Sequence, residues 1–361
     1  MVVGLPFDAL RKNDEMCIMN TDFNLDKTIL EALVELEDVR RNQTLFVTDK
    51  EGHFIGTLTD GDIRRYLIAG GQLQDSVGKA IHKEAITVHA DDPMLLSKLK
   101  EYRNSNIKSI PCVDEDGKIV RVFDLIHYKS HLPIDAVLMA GGKGERLRPL
   151  TEKTPKPLIK VGNKCIIDYN VDRLIEFGVE NINVTVNYLG EQLEEHFAEP
   201  RGKVKVQTVR EPQYLGTIGS IRFVEEFKND NILVMNSDLF TNIDFEDFYL
   251  HFKEHDAMMS VASIPYNVSI PFGILDLNGR NIKGLIEKPK YNYYANGGIY
   301  LIKKEALQYI PEEIFFNATD LIEALIKTNQ TVIRYPLNGT WIDIGQHADL
   351  AKAQDLVKHL R

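Results

Sequence analysis

Ile134-Asp135-Ala136-Val137-Leu138-Met139-Ala140-Gly141-Gly142-Lys143-Gly144-Glu145-Arg146-Leu147-Arg148-Pro149-Leu150-Thr151, continuing to Pro155-Lys156-Pro157-Leu158, runs an apolar segment straight into a glycine loop. The apolar half reads as a buried strand. Glycines directly after a strand let backbone N–H groups approach phosphate oxygens closely, and the loop then presents Arg146 and, beyond a proline-stiffened turn, Lys156. No GK[ST] follows, so the loop is not a P-loop, and its spacing is not the dinucleotide G-x-G-x-x-G. A bare glycine turn carrying surface cations explains the GG pair alone but not the whole run.

Downstream, apolar stretches at 181–186, 203–209 and 231–236 alternate with helical patterns in IIDYNVDRLIEFG and FEDFYLHFKEH. That alternation predicts an α/β unit, a Rossmann-like, mostly parallel open sheet with helices on both faces. Ligands of such sheets sit beyond the carboxyl ends of the strands. Asp238 stands at such an end in ILVMNSDLF, where an acid suits a ligand site better than burial.

Upstream the pattern differs. Residues 26–40 predict a helix behind Asp26 as cap, with Ile29, Leu30, Leu33, Leu36 and Val39 on one stripe. TLFVT (44–48) and HFIGTL (53–58) flank the turn DKEG, and DGDIRRYLIAGG reads as a short helix closed by Gly70 and Gly71. A weaker copy follows: ITV (86–88), a helix over 91–103, SIPCV (109–113), the turn DEDG, KIVRVF, and DLIHY as a last short helix before a linker ending at Pro133. Gly52 and Gly117 head matching turns 65 residues apart, which makes this a two-copy repeat.

The length of 361 residues allows two or three domains. No stretch reaches the ~18 to 20 apolar residues of a membrane helix. The net charge of −10 disfavours nucleic acid and anionic lipid as partners, and small anionic substrates need a local basic pocket. Cys17, Cys112 and Cys165 have no paired metal spacing, and the opening MVVGLPFDALRKNDE has too short an apolar run for a secretory leader. A reducing cytoplasm and folding from near the first residue are the expectations. His251-Phe252-Lys253-Glu254-His255 spells an inverted zinc-peptidase motif, but no third ligand follows, and it reads as chance, as does the His127/His131 pair.

Residues 1–130, with repeats at about 1–75 and 76–130, resemble a tandem cystathionine-β-synthase (CBS) pair, an α+β regulatory module. The family's ribose-gripping pattern of a hydroxyl and an acid three places on is met by Thr59 and Asp62. The same two residues also read as a cap for the helix that follows. Copy two departs from the pattern, since aligning Asp124 with Asp62 needs a deletion of about three residues. The resemblance implies a nucleotide or end-product effector.

Residues 134–361 resemble the sugar-1-phosphate nucleotidyltransferases, with a GT-A-like fold. That resemblance implies joining a nucleoside triphosphate to a sugar 1-phosphate with release of pyrophosphate. It places the triphosphate on Ala140, Gly141, Gly142 and Gly144, with Arg146 and Lys156 offsetting phosphate charge. It makes Asp238 and Asp343, the latter in Trp341-Ile342-Asp343-Ile344-Gly345, the ligands of Mg²⁺. Ser237 stands where many members have glycine. Phe272-Gly273, Glu287-Lys288-Pro289 and Asn296-Gly297-Gly298 resemble the sugar-phosphate segment, so Gly273, Glu287 and Asn296 face the sugar and Lys288 its phosphate. In Glu211-Pro212-Gln213-Tyr214-Leu215-Gly216-Thr217 the base-reading position is Glu211. A pure acceptor matches the adjacent donors of guanine, which favours GTP, with Gly216 and Thr217 completing the nucleotide site. The CBS–transferase combination resembles the glucosamine-1-phosphate guanylyltransferases of bacterial legionaminic acid synthesis. Mannose 1-phosphate is the alternative sugar, a non-catalytic nucleotide-sensing protein is the alternative of another class, and a homo-oligomer is expected.

Overall fold

The computed structural model describes residues 23–38, 44–105 and 107–359. Cys17, Val39, Arg40 and the chain start lie outside them. The chain divides into two compact units, Met1–His131 and Leu132–Arg361.

In the first unit β1 (Phe23–Asn24) runs parallel to β2 (Thr44–Thr48), which turns back through Gly52 into β3 (Phe54–Thr59). The second copy repeats this with β4 (Val88–His89), β5 (Ser109–Val113) and β6 (Ile119–Asp124). Gly52 and Gly117 both have positive φ, +87° and +79°, which their turns require. The registers Thr44↔Thr59 and Ser109↔Asp124 superpose the copies with a constant offset of 65 and no gap. Asp124 is therefore the counterpart of Thr59, and His127 that of Asp62, which corrects the alignment of Asp124 with Asp62.

Three local expectations change. The first helix is Ile29–Asp38, capped by Thr28 rather than Asp26: the Thr28 hydroxyl accepts from Glu31 N at 3.2 Å and donates to the Glu31 carboxylate at 2.7 Å. Leu30 stays half exposed, and Ala32 joins buried Ile29 on the core side. DLIHY forms a turn instead of a helix, because the Asp124 carboxylate accepts from the N–H groups of Ile126 (2.9 Å) and His127 (3.0 Å) and closes the chain locally.

The second unit opens on β7 (Asp135–Met139). A small hairpin, β8 (Lys160–Val161) and β9 (Lys164–Cys165), precedes the helix Ile166–Glu176. The chain continues through β10 (Ile182–Val186), β11 (Gln207–Arg210), β12 (Asn231–Asn236) and β13 (Leu239–Thr241). After the helix Phe245–Glu254 come β14 (Met259–Ser269), β15 (Ile274–Asn278), β16 (Asn281–Ile286) and β17 (Lys290–Lys303), then β18 (Val332–Pro336) and β19 (Trp341–Asp343). Seven strands form one sheet in the order β11-β10-β7-β12-β17-β14-β18, parallel except where β17 meets β12 and β14. Every residue of β10 is buried, so both faces of this region are covered, as a parallel sheet requires. The expected strand at 203–209 is shortened to Gln207–Arg210, at the sheet edge.

The strand order reverses around β7, with β10 on one side and β12 on the other. That reversal opens a crevice at the carboxyl end of β7, where the glycine loop begins. Val137, Val234, Tyr300 and Leu321 form part of the core cluster under the sheet, and a second cluster of Leu147, Ile166, Phe240 and Ile344 supports the loop from below. The ribbon formed by β14 to β17 corresponds to nothing expected from the sequence.

Candidate active site

At the end of β7 the chain turns through Gly144 with φ +61°, and the Gly144 carbonyl accepts from the buried Thr151 hydroxyl at 2.8 Å. The loop is thereby folded back so that the short 3₁₀ turn Lys156–Leu158 brings Lys156 beneath it. Lys156 is buried and donates to Asp238 Oδ2, and its ammonium lies 3.7 Å from Asp343 Oδ1.

Asp238 and Asp343 are brought together by the antiparallel pair β13–β19, in which Leu239 faces Asp343 and Ile344 N donates to the Asp238 carbonyl at 3.2 Å. The Oδ1 atoms of both carboxylates are buried and find no hydrogen-bond partner among the described residues. Burial first, and the neighbouring Asp238 charge second, push the Asp343 carboxyl above the usual range. Two under-satisfied hard oxygens beside one ammonium suit a divalent cation that keeps part of its water shell.

Two side chains that the sequence did not flag hold this corner. Buried Asn170, from the helix Ile166–Glu176, donates to the carbonyls of Leu239 (2.8 Å) and Ser237 (3.4 Å) and clamps the chain on either side of Asp238. The Ser237 hydroxyl donates to the Met139 carbonyl at 2.7 Å and ties β12 to β7, so serine in place of glycine adds a strand-to-strand bond. Arg146 is exposed and packs over Gly345, where a Cβ would stand 3.0 Å from Nη2.

Glu211 is 3% exposed, and its Oε2 accepts from Leu215 N at 3.2 Å. Its Oε1 lies so close over Gly141 that a Cβ there would overlap it. Burial pushes the Glu211 carboxyl up to about 7. The next turn is fixed by Gly216, with φ +81° and the Phe316 carbonyl 2.6 Å from where a Cβ would stand. The Thr217 hydroxyl accepts from Ala318 N at 2.9 Å.

Ala140, Gly141, Gly142, Gly144, Arg146, Lys156, Glu211, Gly216, Thr217 and Asp238 line one cleft of about 670 Å³. Tyr214 and Asn236, which lie in the runs Glu211–Thr217 and ILVMNSDLF without a role assigned from the sequence, line it too. Asn236 ends β12, and the polar closure of NILVMN was its only signal. Asp343 reaches the site through Lys156 and Asp238. Gly273, Glu287 and Lys288 stand exposed on the ribbon, away from the cleft lining, and Lys288 holds a left-handed φ of +44°. Such a conformation in a non-glycine residue is costly and concentrates at functional sites. Asn296 is turned to its own strand, donating to the Tyr300 hydroxyl at 2.9 Å and accepting from Gly298 N at 3.0 Å.

In the first unit a cleft of about 650 Å³ is lined by Thr57, Thr59, Asp60 and Arg64 from copy one and by Lys108 and Ser109 from copy two. Thr59 and Asp62 form a capping box: the Thr59 hydroxyl accepts from Asp62 N at 3.2 Å and donates to Asp62 Oδ2 at 2.6 Å. Asp62 is not among the residues lining that cleft.

A family model described as nucleotidyl transferase matches residues 135–359, and one described as CBS domain matches residues 18–69. The chain is 28% identical over 223 residues to mannose-1-phosphate guanyltransferase beta-A of Xenopus laevis, covering 59% of this chain and 62% of that protein. It is 32% identical over 229 residues to the bifunctional protein GlmU of Methanocaldococcus jannaschii, covering 61% and 53%. These alignments thus span between about half and three fifths of the relatives' own length. A solved structure of a putative glucose-1-phosphate thymidylyltransferase from Bacillus anthracis, in complex with a sucrose, shares the fold, with a TM-score of 0.50 and 24% identity over 63% of this chain and 96% of that one. No helix among the described residues is long and apolar enough to cross a membrane.

Proposed function

The chain belongs to the nucleotidyl transferase family and carries a CBS domain at its N-terminus, and on that premise we propose that it joins GTP to glucosamine 1-phosphate and releases pyrophosphate. The observation that carries the transferase reading is the corner where Lys156 lies against Asp238 and Asp343 beneath the glycine loop. Their orphaned Oδ1 atoms fit Mg²⁺, which supplies charge neutralisation to a triphosphate when bound.

A phosphate oxygen of the sugar 1-phosphate attacks the α-phosphorus of the triphosphate, the new P–O bond forms in line, and the bond to the leaving pyrophosphate breaks. The attacker is already anionic, so no protein base is required. Lys156 sits preplaced on the cleft floor, Arg146 closes one side, and Lys288 on the ribbon neutralises the incoming phosphate. Catalysis is then positioning and charge compensation.

Buried Glu211 supports guanine, because its carboxylate offers acceptors where that base presents two adjacent donors. The sugar rests on the resemblance of the domain arrangement to enzymes of legionaminic acid synthesis in a reducing cytoplasm. Mannose 1-phosphate is the second reading, favoured by the guanyltransferase named among the relatives. The inter-copy cleft beside Thr59 is the place for a regulatory nucleotide that shifts turnover through unequal affinity for two states of the protein.

One assay tests these assignments: pyrophosphate release across four nucleoside triphosphates and the 1-phosphates of glucosamine, N-acetylglucosamine, mannose and glucose, with and without added nucleotides. Turnover confined to GTP and glucosamine 1-phosphate is expected, and another productive pair overturns the base or the sugar. The pH profile adds a sharper check. Guanine recognition needs the ionised Glu211, which gains its proton as pH falls through about 7. KM for GTP is expected to rise toward about tenfold per pH unit below that point, as one required deprotonation dictates. Glu211→Gln is expected to flatten the profile and weaken the preference for GTP; a flat wild-type profile removes the carboxylate from base reading.

A further inference from the structure

Asp238 has a fixed stem and an unsatisfied tip. The Ser237 N–H and hydroxyl both donate to the Met139 carbonyl, at 3.2 Å and 2.7 Å, and tie the chain after β12 to β7. The Asp238 carbonyl accepts from Ile344 N at 3.2 Å and so faces β19, whereas the carbonyls of Ser237 and Leu239 both meet the amide of Asn170. Three successive carbonyls are thereby held, two of them by one side chain. At the tip, Oδ1 has no partner among the described residues and Oδ2 has the Lys156 ammonium.

Asn170 occupies a position that packing alone gives to an aliphatic residue. It is 1% exposed, and Ile166, Ile167, Val171 and Leu174 of the same helix are buried around it in sequence. Both hydrogens of its amide are committed to the Ser237 and Leu239 carbonyls, and its own Oδ1 is buried with no hydrogen-bond partner among the described residues. A buried polar atom left unpaired costs stability, so this amide weakens the core at its oxygen while it holds the Asp238 segment with its nitrogen. Departures of this kind from the rules of core packing concentrate at functional sites.

We propose that Asn170 is the positioning residue of the divalent-cation site: by fixing the backbone on either side of Asp238 it holds that carboxylate where Oδ1 of Asp343 can share one cation with it. The proposal rests on the reading of the two aspartates as metal ligands. Asp343 ends β19, a strand of three residues paired to the equally short β13, and two such strands are a weak frame on their own. Magnesium tolerates little error, because it demands near-octahedral oxygens at about 2.0 to 2.1 Å. The helix Ile166–Glu176 packs its Ile166 in one cluster with Phe240 and Ile344, and an anchor from it supplies the stiffness that the two strands lack.

Binding of Mn²⁺ to the full chain without nucleotide, followed by electron paramagnetic resonance of the free ion, tests the role. Asn170→Leu and Asn170→Ala both remove the donor, one filling its space and the other emptying it. Val171→Ala is the control, a truncation at the next buried position that leaves both hydrogen bonds in place. Mn²⁺ affinity is expected to fall about 10- to 100-fold in both Asn170 variants, the range typical when a partner that orients a metal ligand is lost. It should keep its wild-type value in Val171→Ala, even where the melting temperature drops further. Turnover of the Asn170 variants, lost at low Mg²⁺, is expected to return toward the wild-type kcat at saturating Mg²⁺, with KM for the sugar 1-phosphate unchanged. An affinity that falls as far in Val171→Ala overturns the proposal, as does a wild type that binds no Mn²⁺. Unchanged affinity in both Asn170 variants of an enzyme that turns over also overturns it and leaves the transferase reading standing. The expected pattern of affinities with no productive substrate pair keeps the positioning role and removes the transferase reading.

Discussion

Asp238→Asn is expected to lower kcat by about 10³-fold or more while leaving the fold intact, the range that loss of one preorganised charge in a phosphoryl-transfer site produces. The substitution keeps the shape of the side chain and removes its charge. Asp238 Oδ1 has no partner among the described residues and Oδ2 has only the Lys156 ammonium, so nothing structural depends on a second negative charge at this position. Asp343 would benefit, because the Asp238 charge is the second cause, after burial, of its raised carboxyl pKa. Lys156 retains Asp343 at 3.7 Å. Thermal melting should therefore hold or rise as activity collapses, and affinity for Mn²⁺ used as a probe of the carboxylate pair should fall with it. A variant that retains about a tenth of the turnover takes Asp238 out of the chemistry.

Loss of activity without loss of stability separates this corner from the scaffold around it, and the two differ in how far the sequence discloses them. β7, β10 and β12 are legible because a parallel strand buried on both faces must be a continuous apolar run, and the helices Ile166–Glu176 and Phe245–Glu254 because one face alone is buried. The glycine loop is legible because its spacing and its cations recur together. The ribbon is not: exposed on both sides, it lacks the contrast between an inner and an outer face on which strand periodicity depends.

Residue type also misleads where position decides. Asp124 looks like a mate for Asp62, yet the strand registers place it at Thr59, because pairing geometry and not chemical likeness sets the repeat. Asn170 lies on the apolar stripe of its helix, four residues after Ile166 and four before Leu174, and periodicity alone gives no sign that the amide at this core position holds the carbonyls on either side of Asp238. Thr59 and Asp62 satisfy a ribose grip and a capping box with the same two groups; the structure pairs them with one another.

The glycines of the loop are equivalent in sequence and unequal in space, which gives the second large effect. A methyl group at Gly141 would overlap Glu211 Oε1, whereas one at Gly142 would meet nothing within 4 Å. Gly141→Ala must therefore displace either the loop or the Glu211 carboxylate, at a cost of about 1 to 3 kcal/mol typical of overpacking. Since Glu211 is the proposed base reader, KM for GTP is expected to rise about 10²-fold, equivalent to about 2.7 kcal/mol, and the preference for GTP to shrink. Gly142→Ala should leave both the melting temperature and the Glu211 pH profile unchanged, and any loss of turnover it causes can arise only once a triphosphate fills the loop. Truncating the carboxylate in Gly141→Ala/Glu211→Ala removes the overlap, so melting should recover while base selectivity does not. Recovery of selectivity in that double variant would mean that the loop backbone, and not Glu211, reads the base.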